Sequence, residues 1–226
     1  MTALGTFEAK TQYLASQNFT SSSDTNFITV IDTTAPIISA IATIPASPTY
    51  ASGATYQFRA NVTDPSQIST VLLEFNGTTN VTATSIGGAT FEANITDLAA
   101  GNYTFRWFAN DTLGNTASSA VQNYTINPAT SSVKLLLNGI EGDIFPAINE
   151  TVNITGQLIT PTSGTIDLLI NGSVIQSGAS PQTSITSFST NGTRNITVVF
   201  SGNANFTSST ETHFAIVGGT PPIYNL

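Results

Sequence analysis

The stretch that decides the fold of this chain is Tyr56-Gln57-Phe58-Arg59-Ala60-Asn61-Val62. Apolar and polar residues alternate along it, and successive side chains of a β-strand point to opposite faces of a sheet. The stretch therefore predicts a strand with one buried face. Val71, Leu73 and Phe75 repeat the pattern in the next run, and further short runs follow, separated by Gly, Pro, Asn and Asp. The chain is predicted to be all-β.

The same alternation predicts which residues of the later strands point inward. In the first half of the chain they are Phe91, Ala93, Ile95, Tyr103, Phe105, Trp107, Ala109, Tyr124 and Ile126. In the second half they are Val152, Ile154, Leu158, Ile166, Leu168, Ile170, Ile196, Val198, Phe200, Phe214 and Ile216. No window of helical length has an apolar stripe with a period of 3.6 residues. We expect tandem β-sandwiches with about seven strands each.

An internal repeat indicates how these strands are divided into domains. Residues 5–30 match residues 192–217 without a gap, with ten of 26 positions identical. Thr34-Ala35-Pro36-Ile37 is echoed, one residue out of step, by Thr220-Pro221-Pro222-Ile223. The sequence thus predicts that residues 1–34 are the last two strands of a preceding domain, with a hairpin of residues 7–14 and 25–31. Two complete domains follow at 35–128 and 129–218, and residues 219–226 begin another.

The repeat also predicts that the polypeptide extends in both directions as an alternating array. An isolated two-stranded hairpin is marginally stable in water, so residues 5–31 require the remaining strands of their sandwich. We expect five such strands upstream. Any signal peptide or membrane anchor would then lie outside the 226 residues.

Fourteen of the twenty asparagines begin an Asn-x-Ser/Thr triplet, which is the acceptor for N-linked sugar. Chance would produce roughly five or six, given the Ser and Thr content of the chain. The fourteen candidate glycosylation sites are Asn18, Asn61, Asn76, Asn80, Asn94, Asn102, Asn110, Asn123, Asn149, Asn153, Asn171, Asn191, Asn195 and Asn205. The excess predicts an extracellular or cell-surface protein that carries covalent N-glycans.

The position of these asparagines along the predicted strands tests that interpretation. The apolar set points inward, so five strand asparagines are placed on the solvent face: Asn61, Asn94, Asn123, Asn153 and Asn195. Five others are placed in turns: Asn18, Asn76, Asn171, Asn191 and Asn205. None is predicted to be buried.

Composition excludes several classes of function. Charged residues are only 8% of the chain, and five Lys and Arg stand against thirteen Asp and Glu, so no basic surface can neutralise the phosphates of a nucleic acid. The absence of cysteine excludes disulfides and thiolate chemistry. No stretch approaches the ~20 apolar residues of a membrane span, and we expect no membrane contact within this segment.

Two sets of motifs resemble known surface domains. Leu98-Ala99-Ala100-Gly101-Asn102-Tyr103-Thr104-Phe105, followed by the turn Ala109-Asn110-Asp111-Thr112-Leu113-Gly114-Asn115, resembles bacterial and archaeal immunoglobulin-like surface domains, the first run being similar to a tyrosine corner. The runs 164–172 and 199–206 resemble a second group of bacterial immunoglobulin-like repeats. The resemblance covers nearly the whole chain and implies a tandem array on a cell surface. The density of glycosylation triplets and the low charge are more typical of an archaeal source.

Candidate catalytic and metal-binding residues are few. The one histidine, His213, is predicted to lie on the outer face of a strand beside an inward Phe214, and Trp107 is assigned to the core. The nearest acidic clusters are Glu141-Gly142-Asp143 and the pair Asp64 and Asp97; they lack the dense spacing of a calcium loop. Asp111 with Gly114 and Asn115 is interpreted as turn chemistry. We therefore predict no catalytic residue, no metal site and no cofactor.

These observations favour a structural protein. The leading hypothesis is a segment of a heavily glycosylated extracellular fibre, stalk or surface-layer-associated protein, whose partners are neighbouring domains or further copies of the chain. One alternative is an adhesin module that binds cell-surface glycans or proteins through its loops. Others are a pilin-like subunit that assembles by strand exchange and an accessory domain of a secreted hydrolase.

Overall fold

The computed structural model describes residues 5–221 and contains eighteen β-strands and no helix among them. The prediction of an all-β fold is confirmed. The described residues form two compact units. One comprises residues 5–46, 55–95 and 103–124, and the other comprises 47–54, 96–102 and 125–221. The predicted domain boundaries at 34/35 and 128/129 stay predictions, and the predicted start of a following domain lies mostly outside the described residues.

The chain begins with an antiparallel hairpin of β1 (Gly5–Tyr13) and β2 (Ser22–Val30). Its two strands pair only with each other and form a two-stranded sheet. Every residue of the hairpin except Val30 is exposed. The predicted hairpin is therefore present, and neither of its faces is covered by the described residues.

The first sandwich follows the hairpin. Its strands are β3 (Ile37–Ile44), β4 (Thr55–Thr63), β5 (Ile68–Phe75), β6 (Thr79–Thr82), β7 (Thr84–Gly87), β8 (Thr90–Thr96), β9 (Gly101–Asp111), β10 (Thr116–Ser118) and β11 (Gln122–Ile126). One sheet has the order β3-β4-β8-β7, and the other has the order β10-β9-β5-β6 with β11 also paired to β9. The count is nine strands where about seven were expected. The additional short strands come from a polar edge segment that passes from one sheet to the other between β6 and β7.

Aromatic side chains join the two sheets of this sandwich. Phe58 on β4 has no exposed surface. Its ring makes edge-to-face contacts with Phe75, Phe105 and Tyr124 of the opposite sheet, at centroid distances of 5.6, 4.9 and 5.1 Å. Such pairs add about 0.5–1.5 kcal/mol beyond the area they bury. Trp107 is likewise fully buried, as predicted.

The second sandwich has seven strands. They are β12 (Ser132–Leu137), β13 (Thr151–Thr160), β14 (Thr165–Ile170), β15 (Ser173–Ala179), β16 (Gln182–Ser187), β17 (Gly192–Phe200) and β18 (Ser209–Val217). The sheets have the orders β12-β13-β16 and β15-β14-β17-β18, and inward side chains of both form one core. Two facing antiparallel sheets of three and four strands are the arrangement of an immunoglobulin-like sandwich.

The predicted inward sets are largely correct, with one strand reversed. Phe214 and Ile216 were predicted to point inward, but Phe214 is 38% exposed while Ala215 and Val217 are buried. Phe91, Ile95, Tyr103 and Ile170 are half-buried, and the other predicted inward residues are buried. The prediction for β18 is wrong because both parities of its last five residues carry apolar side chains, so alternation does not distinguish its faces.

Candidate functional site

The asparagines of the fourteen glycosylation triplets lie at the surface. Eleven are exposed, and Asn61, Asn110 and Asn205 are half-buried. None is buried, as predicted, although Asn61 was expected on the open solvent face and is half-buried. Asn153 on β13 lies between the fully buried Val152 and Ile154, and Asn195 on β17 directly precedes the fully buried Ile196, as strand geometry requires. Attachment of sugar at these positions stays a prediction.

In several of these asparagines the side-chain oxygen accepts a hydrogen bond that orients the amide. Oδ1 of Asn76 accepts a hydrogen bond from the backbone N–H of Thr104 at 3.0 Å. Oδ1 of Asn171 accepts one from the N–H of Asn195 at 3.0 Å. Oδ1 of Asn195 in turn accepts one from the Thr197 hydroxyl, within its own triplet, at 2.8 Å. Because N-linked sugar is attached to Nδ2, these bonds orient the amide and leave the reactive nitrogen available.

Three aspartates from distant parts of the sequence meet in the first unit. The carboxylate oxygens of Asp32, Asp64 and Asp111 all lie within 4.8 Å of one another. Asp32 lies on the segment between β2 and β3, Asp64 directly follows β4, and Asp111 is the last residue of β9. Asp32 and Asp64 are half-buried, whereas Asp111 is 1% exposed.

Asp111 is fixed by the turn that follows it. Its Oδ1 accepts hydrogen bonds from the backbone N–H groups of Leu113 and Asn115, both at 2.8 Å. Its Oδ2 accepts from Nδ2 of Asn115 at 2.7 Å and from Oγ of Ser66 at 3.0 Å. Gly114 has a φ of 90°, a left-handed conformation that favours glycine. The interpretation of this motif as turn chemistry is confirmed.

Hydrogen bonds set the protonation of the aspartates. Burial of Asp111 raises its pKa, but the bonds from Asn115, Leu113 and Ser66 outweigh burial, so the pKa lies below its ordinary value. The side-chain and backbone hydrogen bonds of Thr34 likewise lower the pKa of Asp32. Both carboxyl groups are therefore anionic at neutral pH.

This cluster was not predicted from the sequence. Asp64 was expected to lie near Asp97, whereas the acidic side chains close to Asp64 are Asp32 and Asp111. Asp97 accepts a hydrogen bond from the Gly53 N–H at 2.9 Å. The sequence shows one shared pattern: each of the three aspartates is followed within a few residues by a Thr, Ser or Asn. In the structure the side chain of that residue donates a hydrogen bond to the carboxylate. That pattern is common in turns, so it did not identify a site.

The second predicted acidic cluster is not a joint site in the structure. Glu141 forms an ion pair with Lys134 at 2.6 Å, while Asp143 accepts a hydrogen bond from the Phe214 N–H at 2.8 Å. The Lys134 bond and charge lower the pKa of Glu141. Each acid therefore has a separate structural partner.

His213 does not point outward as the sequence predicted. It shares a face of β18 with buried Ala215, and its ring lies beside Glu211, with Nε2 3.2 Å from Oε1. The other oxygen of Glu211 accepts a hydrogen bond from the backbone N–H of Leu135 at 2.6 Å. Glu211 is thus hydrogen-bonded to a neighbouring strand, and we assign a structural role to the pair of Glu211 and His213.

Comparison with solved structures finds tandem immunoglobulin-like and fibronectin(III)-like domains. The Clostridium thermocellum CbhA fibronectin(III)-like modules share 20% identity over 84% of this chain and 100% of theirs, with a TM-score of 0.34. The titin domains Z1Z2 in complex with telethonin share 16% over 84% and 100%, with a TM-score of 0.47. Tandem Ig repeats of Dlar share 13% over 81% and 97%, with a TM-score of 0.29. These likenesses carry no inference about function.

Sequence comparisons add no family assignment. No protein-family model matches the chain, and a search of curated proteins finds no match. A search of the described residues for a helix long and apolar enough to cross a membrane also finds none.

Proposed function

We propose that this chain is a structural segment of a heavily N-glycosylated extracellular fibre, stalk or surface-layer-associated protein built from repeated immunoglobulin-like domains. One observation carries the proposal. In the hairpin, Gly5 pairs with Val30 and Tyr13 pairs with Ser22. In the second sandwich the equivalent residues pair in the same register along all nine positions of β17 and β18. The hairpin therefore has the backbone pairing of the last two strands of a complete domain.

The side chains of the hairpin support the same interpretation. Tyr13 is 47% exposed, but its equivalent Phe200 is 3% exposed in the core of the second sandwich. Ile28 is exposed, and its equivalent Ala215 is fully buried. One face of the hairpin thus corresponds to the buried face of β17 and β18, but it is exposed. Burial of such an apolar face is the main stabilising contribution to a sandwich. A preceding domain of the same type as the second sandwich would supply the missing strands.

A polar pair on this face identifies where an incoming strand would bind. Asp24 and Asn26 occupy the positions of Glu211 and His213, and Nδ2 of Asn26 donates to Oδ2 of Asp24 at 3.3 Å. In the second sandwich Glu211 accepts the backbone N–H of Leu135 on the first strand. Asp24 is therefore proposed to accept a backbone N–H from the first strand of the preceding domain.

The distribution of the glycosylation triplets supports a structural role for a glycosylated surface protein. The glycosylation triplets occur on both sandwiches and on both strands and turns, and we propose that they are occupied in an archaeal cell envelope. No catalytic activity, cofactor or nucleic-acid partner is proposed. The partners are neighbouring domains of the same polypeptide.

The open hairpin also favours a second candidate, a subunit that polymerises by strand exchange. The two candidates differ in the behaviour of the isolated chain. Light scattering after size-exclusion chromatography of residues 1–226, over a range of concentrations, separates them. A spacer segment stays monomeric because its second sandwich already contains β17 and β18, whereas open-ended polymers that grow with concentration would support strand exchange and contradict the spacer.

A further inference from the structure

We propose that the first sugar attached to Asn195 packs on the ring of Phe214. The first sugar attached to Asn153 packs on Ile185 in the same way. The inference rests on the proposed glycosylation and adds the protein surface that the sugars cover. Asn195 on β17 lies directly opposite Phe214 on β18, and Asn153 on β13 lies directly opposite Ile185 on β16. Such residues share one face of the sheet, with Cβ atoms about 4.5–5.5 Å apart.

Backbone hydrogen bonds place Asn195 and Phe214 in the closer of the two antiparallel arrangements. The N–H of Asn195 donates to Oδ1 of Asn171 at 3.0 Å, and its carbonyl accepts from the Asn171 N–H at 2.8 Å. The N–H of Phe214 donates to Oδ1 of Asp143, and its carbonyl accepts from the N–H of Ile144. The backbone groups of both residues thus point away from the pair. In a non-hydrogen-bonded pair of this kind the side chains are closer together.

Asn153 and Ile185 have the same geometry. The N–H of Asn153 donates to Oδ1 of Asn138, and its carbonyl accepts from the Asn138 N–H, both at 2.8 Å. Asn138 directly follows β12, on the side of β13 away from β16. Asn153 and Ile185 are therefore also a non-hydrogen-bonded pair.

Both apolar side chains lie outside the core of the second sandwich. Ile185 is 70% exposed, whereas its polar neighbours Ser184 and Thr186 point to the opposite face and are half-buried. Phe214 is 38% exposed although it directly follows the half-buried His213. Covering such a side chain removes apolar surface from water, which is favourable. The alternation of these two strands therefore indicates a partner on the outer face.

A sugar ring attached to the opposite asparagine has the chemistry to be that partner. One face of a pyranose consists of C–H groups, which can pack on an aromatic or branched aliphatic side chain while the hydroxyls stay in water. Oδ1 of Asn195 accepts the hydroxyl of Thr197 at 2.8 Å, so Nδ2 remains for the sugar. A protein partner would have to pass the sugar at Asn195 before it reached Phe214.

A mutant cycle on the whole chain tests the contact. The chain is expressed in a eukaryotic host and trimmed enzymatically to a single N-acetylglucosamine at each occupied site, and peptide mass spectrometry measures occupancy of Asn195. Asn195→Gln is expected to lower the calorimetric unfolding midpoint by a few degrees, but by much less when Phe214→Thr is already present, because residues in contact are not additive. The control Asn80→Gln, whose cross-strand neighbour is Glu74, should have the same effect with and without Phe214→Thr.

Bare chain from a bacterial cytoplasm separates the sugar contact from a direct contact of the two side chains. There the effects of Asn195→Gln and Phe214→Thr should add, so coupling confined to the glycosylated chain supports the proposal. With Asn195 occupied, equal effects of Asn195→Gln in both backgrounds, or the same coupling in the bare chain, would overturn the contact but not the glycosylation. An unoccupied Asn195 would contradict both. If Phe214→Thr fails to fold, the cycle of Asn153→Gln with Ile185→Thr gives the result.

Discussion

Gly5 lies opposite Val30 in the N-terminal hairpin. At an offset of 187 residues, Gly192 lies opposite Val217 in the second sandwich. Only ten of 26 positions are identical between the two segments, yet all nine backbone pairs keep the same register. A one-residue slip would exchange the two faces of a strand pair. The shared register thus preserves one core face in both segments.

Glu211 is expected to hold β12 in place through the N–H of Leu135, a residue with no exposed surface. Replacing Glu211 with Ala leaves this donor without its acceptor. The free energy of unfolding, measured in urea, should then decrease by about 1–3 kcal/mol. Glu211→Gln is the matched control, because its amide oxygen can still accept the bond and most of the stability should remain. Equal stability of both variants and the wild type would contradict the assigned role.

Gly202 is expected to be intolerant of a side chain. Its φ is 83°, and an added Cβ would lie 2.9 Å from the carbonyl oxygen of Phe206 and from the N of Ser208. Gly172 has a similar φ of 80° with open space around it. In both Gly→Ala variants the free energy of unfolding should fall by about 1–2 kcal/mol, because alanine is strained in the left-handed conformation. The decrease should be larger for Gly202→Ala, because the backbone near the new Cβ must also move. Denaturant midpoints that rank the two variants in the opposite order would show that the close approach does not matter.

The part of the fold set by alternation was predictable, and the part set by contacts between distant segments was not. Phe58 lies in a run where only one parity is apolar, and Trp107 lies in a run where the other parity has a single apolar residue, Phe108. Both Phe58 and Trp107 were assigned to the core correctly. On β18, Phe214 and Ala215 belong to opposite parities that are both apolar, and the larger side chain was wrongly placed inside. Its neighbour across the sheet, Asn195, lies on the exposed face of β17, and only the pairing register reveals this.

The acidic cluster could not be predicted for a related reason. Its three aspartates lie on separate segments: Asp32, Asp64 and Asp111. Each resembles an ordinary turn aspartate that accepts a hydrogen bond from a nearby Thr, Ser or Asn side chain. Their approach depends on how the β2–β3 connection passes the ends of β4 and β9. The exposure of Asn153 and Asn195 was predictable because it depends on local parity alone.

Stability of the first unit is expected to fall in acid. The folded-state pKa values of Asp111 and Asp32 lie below the ordinary value of 3.8. A depressed pKa contributes stability that is fully present above the unfolded-state pKa and is lost as the pH falls through the folded-state pKa. The denaturant midpoint should therefore decrease below about pH 4, and Asp111→Asn should make this decrease shallower.

An uncharged core variant provides the control for this pH dependence. Leu73→Ala should lower the free energy of unfolding at every pH by an amount typical of a core cavity, about 2–5 kcal/mol, without changing the slope in acid. If Asp111→Asn keeps the wild-type slope, the carboxylate is not a source of the acid sensitivity.

Sugar attachment at Asn195 can be tested without changing the asparagine. The hydroxyls of Thr197 and Thr212 lie 2.9 Å apart across β17 and β18. Thr197→Ala and Thr212→Ala both remove this contact, but only Thr197→Ala destroys the glycosylation triplet. After expression in a host that performs N-glycosylation, peptide mass spectrometry should show glycan at Asn195 in the wild type and in Thr212→Ala, and none in Thr197→Ala. A bare Asn195 in the wild type, with the other exposed triplets occupied, would contradict the assignment of this site.

The sequence of the complete gene shows whether the chain belongs to a repeating array. We expect an open reading frame that continues on both sides of these residues. Five strands resembling residues 129–191 should precede Gly5, and further pairs equivalent to Gly192 and Val217 should recur with a period near 187 residues. A frame that starts at Met1 and stops soon after Leu226, or flanking sequence without immunoglobulin-like repeats, would show that no such array exists.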